Sequence, residues 1–370
     1  MRNVRLRGLI PALLLLSAAA STLAQGTRDS QKMLDKSFQS SAGALKYLLY
    51  VPKEYSETQR YPLVVSLRGQ GSTYIQATDN FEMAHPWIED SIQARVPHFV
   101  MVPECLSGNW GGLAGSPSGG VMASSSKAVM EAIEDLKKQY SLDTNRFILN
   151  GFSLGGSGTY HILELKPGYF AAAIPASAGG DSSKTEAMAK TAIWHHQGST
   201  DGTAGKRMAQ GLDNHGYMVV RVVCDFNINN PSAWRSSLQT AGGNAEAVAF
   251  KNAKAPVTLD SLRRAIDAGA RYLYTELTGG NHEAGWMGAA HNPLLAKWAF
   301  SKVRGGGPAT SLAPKAGVIR KQRNGAMLTY IFPEVSNGPI STLLGRRIGP
   351  GSPGNGSAPA RQPLLLRITP

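Results

Sequence analysis

The chain has 370 residues, of which 42% are hydrophobic, so it can bury one large core and form one main domain with appendages. Its net charge of +13 is uneven: residues 1–24 carry three arginines, residues 301–370 carry ten Lys/Arg against one acid, and residues 25–300 keep a net charge of only +1. Residues 25–300 are therefore close to neutral, and they lack a stripe of basic residues interspersed with aromatic residues. Both features argue against nucleic-acid binding.

The first residues have the pattern of a secretory signal. Arg2, Arg5 and Arg7 precede an apolar run, and small residues follow up to Ala24. We therefore expect residues 1–24 to be a signal peptide and the mature protein to be secreted or periplasmic. An uncleaved anchor is the alternative. No other stretch is long and apolar enough to span a membrane, so no integral membrane segment is expected after signal removal.

Apolar, β-rich runs alternate with amphipathic stretches between about residues 43 and 300. The clearest helical pattern is Ser126–Tyr140, where Val129, Ile133 and Leu136 recur three or four residues apart. Continuous apolar strands separated by helices predict an α/β fold with a mainly parallel central sheet flanked by helices. The predicted strands are Leu45–Val51, Pro62–Leu67, Phe99–Val102, Phe147–Asn150, Phe170–Ile174, Ala192–His196, Val219–Cys224 and Tyr272–Glu276.

Two regions depart from this alternation within a predicted domain of residues 25–303. Residues 225–268 predict an insertion and possible lid, with a helix near Thr258–Ala268. Residues 304–370 form a basic tail rich in Gly and Pro, which predicts disorder or a small β addition built from Ala326–Phe332 and Leu364–Ile368.

A candidate nucleophile lies between a predicted strand and a predicted helix. Phe147–Asn150 runs directly into Gly151-Phe152-Ser153-Leu154-Gly155, and a helical stretch follows to about Leu165. Glycines two residues before and after the serine relieve the crowding of such a tight turn and let the hydroxyl project from the sheet. We predict that Ser153 is a nucleophile. The alternative is a glycine-rich turn with a solvated serine.

A serine hydroxyl needs a base within hydrogen-bond reach and a carboxylate to orient that base. Asp201 follows the strand Ala192–His196 and is the predicted acid, with Asp181 as the alternative. His282 follows the strand Tyr272–Glu276 and is the predicted base. The order serine, acid, histidine along the chain agrees with this arrangement.

The transition state of such a reaction also needs hydrogen-bond donors for a developing oxyanion. The N–H of Leu154, directly after the nucleophile, is one predicted donor. The N–H of Gln70, in the glycine-rich loop that follows Pro62–Leu67, is the other.

The sequence predicts no cofactor and no metal. It has no phosphate-binding or dinucleotide-binding glycine motif and no zinc-protease motif, and the adjacent His195 and His196 would point to opposite faces of a strand. Cys105 and Cys224 could form one disulfide or be free core residues.

Several segments together resemble the exported esterase and predicted-peptidase branch of the α/β-hydrolases, including polyhydroxybutyrate depolymerase-like and feruloyl-esterase-like proteins. The resemblance covers about residues 45 to 302. It implies the α/β-hydrolase fold, the triad Ser153, Asp201 and His282, and the oxyanion donors Gln70 and Leu154. The segments are Tyr61–Val65, Val102–Cys105 with Trp110, Asn145–Gly156, His282–Trp286 and Pro293–Trp298.

The chain departs from this family at three places. Arg68 and Gln197 each precede a glycine where the family usually has histidine, and the insertion lengthens the gap between acid and base. These departures leave the substrate open. Trp110 and Trp286 are candidate substrate-binding residues that could stack on a sugar or aryl ring, although packed core positions are the alternative.

We therefore expect a serine hydrolase that cleaves a small or polymeric carboxylic ester through an acyl-enzyme. A serine peptidase of the same fold is one alternative. The other is an inactive, hydrolase-like module that binds polysaccharide. The acyl and alcohol groups and the oligomeric state are not specified by the sequence.

Overall fold

The computed structural model describes residues 29–71, 73–79, 83–112, 120–225, 259–292, 294–306, 321–324, 327–332 and 364–367. The predicted signal 1–24, most of the insertion at 225–268 and most of the tail at 304–370 lie outside these residues, so these domain assignments stay predictions. Within the described part, no helix is long and apolar enough to cross a bilayer.

Nine strands form the central sheet, in the order β1-β2-β4-β3-β5-β6-β7-β9-β8. The pairs β1–β2 and β2–β4 are antiparallel, and the other six pairs are parallel. The strands are β1 Leu34–Ser40, β2 Gly43–Tyr50, β3 Tyr61–Leu67, β4 Phe99–Pro103, β5 Leu142–Phe152, β6 Ala172–Ala176, β7 Ala192–Gly198, β8 Val219–Asp225 and β9 Tyr272–Thr278.

The prediction of an α/β fold with a mainly parallel sheet is confirmed, and each of the eight predicted strands is present with shifted ends. The edge strand β1 was not predicted. Its sequence is mostly polar and most of its residues are exposed or only partly buried, so it lacks the apolar run used to recognise the others. It is fixed instead by its antiparallel pairing with β2.

Helices cover both faces of the sheet. They are α1 Tyr74–Asp79, α2 His85–Ile88, α3 Asp90–Gln93, α4 Ser124–Gln139, α5 Leu154–Leu165, α6 Thr185–Met188, α7 Ala204–Asn214, α8 Leu259–Asp267, α9 His282–Ala290 and α10 Leu295–Phe300. Residues of α4 to α7 contribute to one core cluster, and residues of α1, α2 and α8 to α10 contribute to the other. Because both faces are covered, the central strands are apolar along their length, as in β3, where every residue is buried.

The order of the last three strands determines where the site forms. β9 lies between β7 and the edge strand β8, so the strand before Asp201 and the strand before His282 are direct neighbours. Both are parallel to β5, and their carboxyl ends therefore meet at the same edge of the sheet as the end of β5.

Three short strands outside the central sheet form an antiparallel sheet of their own, in the order β10-β11-β12. They are β10 Lys321–Asn324, β11 Met327–Phe332 and β12 Leu364–Arg367. The predicted β segments Ala326–Phe332 and Leu364–Ile368 correspond to β11 and β12. The predicted helix near Thr258–Ala268 corresponds to α8.

The two cysteines are far apart in the sheet. Cys105 is buried and free, just after β4, and Cys224 belongs to β8. Six strand intervals separate β4 from β8, or roughly 29 Å at about 4.8 Å per interval. A disulfide needs Cα atoms closer than about 7 Å, so the two positions are too far apart to be bridged to each other.

We expect Gly155→Ala to lower stability by about 1–3 kcal/mol or more, because the added methyl must displace backbone. A Cβ at Gly155, in the first turn of α5, would lie 2.0 Å from the Leu67 carbonyl oxygen at the end of β3. Thermal and urea unfolding followed by circular dichroism measure the loss. Lys138→Ala, at an exposed position of α4, is the control and should unfold like the wild type. Equal stabilities would show that α5 does not depend on this close approach.

Candidate active site

Ser153 occupies a strained turn between β5 and α5. Its φ of 53° and ψ of −115° lie where residues with a side chain are rarely found, and its N–H is held by the carbonyl of Ala176 at 2.9 Å. A Cβ at Gly151 would lie 2.3 Å from the Gly155 carbonyl oxygen, so the turn requires glycine there. The hydroxyl of Ser153 is partly exposed. The structure therefore gives Ser153 the geometry that the Gly-x-Ser-x-Gly pattern predicts.

The three residues predicted to act together are in direct contact. His282 Nε2 lies 2.8 Å from Ser153 Oγ, and His282 Nδ1 lies 2.8 Å from Asp201 Oδ1. The side chain of His282 is 45% exposed and that of Asp201 is 16% exposed, so solvent and small molecules can reach the serine end of this chain.

The two loops that carry Asp201 and His282 are bonded to each other along their length. The Gly280 carbonyl accepts hydrogen bonds from both the N–H and the hydroxyl of Thr200, at 2.9 Å each. A Cβ at Gly198 would lie 2.1 Å from the Asn281 carbonyl oxygen, so the two backbones are in close contact. This contact fixes the distance between the acid and the base.

His282 is the first residue of α9, and two side chains hold it there. Asn281 caps the helix by accepting a hydrogen bond from the N–H of Glu283 at 3.1 Å. Ser177, at the end of β6, donates its hydroxyl to the His282 carbonyl at 2.6 Å. Ser177 itself has a φ of 48°. Both the serine and the loop that holds the histidine backbone thus use strained, fixed conformations.

The carboxylate of Asp201 determines the protonation of His282. Its hydrogen bond to Nδ1 is the largest influence and raises the pKa of His282 above the ordinary value of 6.5, while partial burial opposes this and the charges of Asp201 and Glu283 add to the increase. The raised pKa means that His282 becomes a better proton acceptor. Its neutral, proton-accepting form dominates only above that pKa.

The alternative acid, Asp181, has a different role. It is exposed and accepts hydrogen bonds from the N–H and hydroxyl of Ser183, at 2.9 and 2.6 Å, which lower its pKa. It caps a short turn after β6. Asp201, not Asp181, is the carboxylate in contact with His282.

The loop predicted to hold the oxyanion lies beside the Ser153 turn. Leu67 pairs with Gly151 at the end of the sheet, and a Cβ at Gly69 would lie 3.0 Å from the Phe152 ring. The backbone of residues 67–69 therefore packs directly on the residues that flank Ser153. Gln70 follows in this loop, and Leu154 is the first residue of α5.

Arg68 and Glu104 hold this loop in place. Arg68 Nε and Nη2 donate to Glu104 Oε1 at 2.9 and 2.5 Å, and Nη1 donates to the Gly69 carbonyl at 2.9 Å. Glu104 also accepts the N–H groups of Cys105 and Tyr74, at 2.8 and 3.2 Å. Arg68, through Glu104, thus anchors the loop to the end of β4 and to the start of α1.

The prediction that Trp110 and Trp286 bind substrate is corrected by the structure. Both side chains have 0% exposure. Trp110 Nε1 donates to the Arg68 carbonyl at 3.0 Å, and Trp286 Nε1 donates to Glu283 Oε2 at 2.6 Å. They are core residues that support the loops around the site, because neither ring presents a face to a ligand.

Sequence reasoning did not identify Ser177, Glu104 or Gln197 as part of the site. Gln197 donates to Asp201 Oδ2 at 3.0 Å. Its position was noted only as a departure from the family pattern. The signal was its location at the carboxyl end of a predicted strand, four residues before the acid.

His195 and His196 point to opposite faces of β7, as predicted. His195 stacks between Tyr160 and Tyr274, whereas His196 stacks on Trp194. Among the residues described, no group of three or more His, Cys, Asp or Glu side chains is placed to hold a metal ion.

A search of solved structures finds a thermostable esterase with a TM-score of 0.54 and 23% identity, covering 75% of this chain and 64% of that chain. The chain has the α/β-hydrolase fold. A ferulic acid esterase of the anaerobic fungus Anaeromyces mucronatus is more distant, with a TM-score of 0.39, 15% identity and coverage of 72% and 88%. No family model matches the sequence.

Among curated proteins, a bifunctional acetylxylan esterase/xylanase of Neocallimastix patriciarum is 32% identical over 84 residues. These are 23% of this chain and 12% of that protein, so the chain spans a small part of that relative's length. The match is a local likeness in sequence.

We expect Asp201→Asn to lower kcat roughly 10⁴-fold. Gln197 donates to the outer oxygen of residue 201, so the asparagine would turn its oxygen to Gln197 and its NH₂ to His282 Nδ1. The proton of His282 would then move to Nε2, which could no longer accept the proton of Ser153.

The pH dependence of kcat/KM is the second readout for Asp201→Asn, in particular its acid limb, the range at low pH where kcat/KM falls as His282 is protonated. In the wild type it should lie above pH 6.5, because the pKa of His282 is raised, and in the variant it should move to lower pH. Asp181→Asn is the matched control and should keep the wild-type rate and profile. Wild-type kinetics in Asp201→Asn would exclude Asp201 as the partner of His282.

We expect Glu104→Gln to lower kcat about tenfold with little change in KM. Loss of this charge-assisted pair costs about 1.5–3 kcal/mol of local interaction and loosens the loop that carries Gln70. Asp90→Asn breaks the exposed Lys53–Asp90 pair and should leave both constants unchanged. Steady-state kinetics compare the two. An equal effect of both substitutions would mean that the Arg68–Glu104 pair does not support the site.

Proposed function

We propose that this chain is a carboxylic ester hydrolase that acts through an acyl-enzyme on Ser153. One observation carries the proposal: a continuous hydrogen-bonded chain from Ser153 Oγ through His282 to Asp201, with both distances at 2.8 Å. It begins at a strained strand-to-helix turn whose serine is partly exposed. The fold shared with a thermostable esterase is consistent with it.

In the first half-reaction, Ser153 Oγ attacks the ester carbonyl carbon while His282 Nε2 takes its proton. Asp201 holds Nδ1–H and stabilises the imidazolium that forms. The protonated Nε2 then donates to the leaving alcohol, and the acyl group remains on Ser153. In the second half-reaction, His282 takes a proton from water, which attacks the acyl-enzyme and releases the acid.

The N–H groups of Leu154 and Gln70 are the proposed donors to the oxyanion. Two features support this assignment: Leu154 is the first residue of α5, where a helix end favours negative charge, and the Gln70 loop packs on the Ser153 turn.

Acetyl esters on a polysaccharide are the proposed substrate class. The support is the local likeness to an acetylxylan esterase/xylanase, together with a reaction chemistry suited to an alcohol leaving group. Export through residues 1–24 would bring the enzyme to such a polymer and stays a prediction. A peptidase activity and an inactive binding module remain the outcomes against which this proposal is tested.

Ser153→Ala should abolish hydrolysis of p-nitrophenyl acetate, with a loss of at least roughly 10⁵-fold, because the proposed acyl-enzyme forms on the Ser153 hydroxyl. Release of p-nitrophenol measures it. Ser157→Ala, one turn further along α5, is the control for substitution in the helix. Substantial activity in Ser153→Ala would refute the assignment of the nucleophile.

Substrate class is tested with matched acetyl ester and acetyl amide substrates and with acetylated xylan. Preference for the ester and release of acetate from xylan are expected. A preference for the amide would indicate a peptidase, and binding of xylan without turnover of any ester would indicate the inactive module.

A further inference from the structure

A row of buried hydrogen bonds leads from the core to the outer side of the Asp201 carboxylate. Tyr160 Oη lies 2.8 Å from His195 Nδ1, and His195 Nε2 lies 2.9 Å from Gln197 Oε1. Gln197 Nε2 donates to both the main-chain oxygen and Oδ2 of Asp201, at 2.9 and 3.0 Å. Tyr160, His195 and Gln197 are each 2% exposed or less.

The local fold places these side chains in one layer. His195 and Gln197 are two residues apart in β7 and therefore face the same side of the sheet, toward Tyr160 on α5. The imidazole of His195 is stacked between the rings of Tyr160 and Tyr274, with centroids 5.9 and 5.7 Å away. These stacking contacts fix the orientation of the His195 imidazole ring.

Helix α7 closes this layer through a glycine. A Cβ at Gly205 would lie 2.0 Å from His195 Nε2 and 2.5 Å from Gln197 Oε1, directly on the hydrogen bond between them. The space that the pair occupies is therefore kept open by the absence of a side chain at residue 205.

The direction of every hydrogen bond in the row is determined from its ends. The Asp201 carboxylate can only accept, so the NH₂ of Gln197 faces it and Oε1 faces His195. Oε1 can only accept, so His195 carries its proton on Nε2. Burial lowers the pKa of His195 to about 4, so its ring is neutral, and Nδ1 accepts from Tyr160. All donors point toward Asp201.

We propose that Gln197, oriented by His195 and Tyr160, is the positioning residue that keeps Asp201 Oδ1 turned toward His282. This inference rests on the proposed function, in which Asp201 orients the catalytic base. Asp201 lies on a loop, and partial rotation about its Cβ–Cγ bond would withdraw the carboxylate oxygen that faces Nδ1 of His282. The Gln197 amide donates two hydrogen bonds to Asp201, one to the main-chain oxygen and one to Oδ2, and these bonds oppose the rotation.

Gln197→Met keeps the length of the side chain and removes its amide. We expect kcat to fall roughly 10-fold to 100-fold, by analogy with the loss of a hydrogen-bond partner behind a metal-binding side chain, with KM within about twofold. The acid limb of kcat/KM should move to lower pH, because Asp201 no longer holds its place against Nδ1.

Tyr160→Phe is the milder variant and keeps the core filled. Without the tyrosine hydroxyl, His195 can move its proton to Nδ1, and Gln197 can then turn its oxygen toward Asp201. We expect a several-fold loss in kcat and a shift of the acid limb in the same direction, smaller than in Gln197→Met. This variant keeps the test available if Gln197→Met does not fold.

Thr275→Val is the matched control. Thr275 is fully buried in the neighbouring strand β9, and its hydroxyl accepts the Trp194 indole N–H at 2.9 Å on the other face of the sheet. Its loss removes one buried hydrogen bond without touching the Asp201 layer. Thermal stability should fall, while kcat and the pH profile stay as in the wild type.

Proton NMR of the His282 Nδ1–H, read without substrate, separates this inference from the proposed function. Its far-downfield resonance should be sharp in the wild type and in Thr275→Val, and weakened or shifted in titration midpoint in Gln197→Met and Tyr160→Phe. Wild-type resonance and pH profile in both variants, with only stability reduced, would overturn the positioning role. An inactive wild type with the same resonance changes would refute only the proposed function.

Discussion

The adjacency of parallel strands β7 and β9 is the constraint on which the site depends. Because β8 lies at the edge, the loops that follow β7 and β9 leave the sheet side by side and are bonded to each other through Thr200 and Gly280. This brings Asp201 to Nδ1 of His282. The end of β5, two strands away from β7, brings Ser153 to Nε2. Three residues distant in sequence therefore meet at one sheet edge.

Much of this arrangement is predictable from the sequence. Apolar runs identified the buried strands, and the turn around Ser153 with acid and histidine after later strands identified the three residues in contact. The sequence pattern could not predict roles that depend on contacts with residues from elsewhere in the chain. Glu104 holds the Gln70 loop through its contact with Arg68. Trp110 and Trp286 are of a residue type that is common in ligand-binding sites, but both are fully buried. Their surroundings, not their types, decide their roles.

Two residues at strand ends, Arg68 and Gln197, fix the loops of the site in related ways. Each of the two side chains bonds to a loop that carries part of the site. Arg68 fixes its loop through the charge of Glu104, whereas Gln197 uses an amide that donates on one side and accepts on the other. The strained Ser153 turn is thus surrounded by loops whose positions are separately determined, which keeps the reacting groups aligned before a substrate binds.

We propose that Ser153 is a nucleophile activated by His282. Incubation of the protein with a fluorophosphonate, with the adduct located by peptide mass spectrometry, tests this proposal. We expect one adduct, on Ser153, formed rapidly in the wild type and at a rate reduced by at least roughly 10³-fold in His282→Ala. No labelling of Ser153 in the folded wild type, or equally fast labelling without His282, would contradict it.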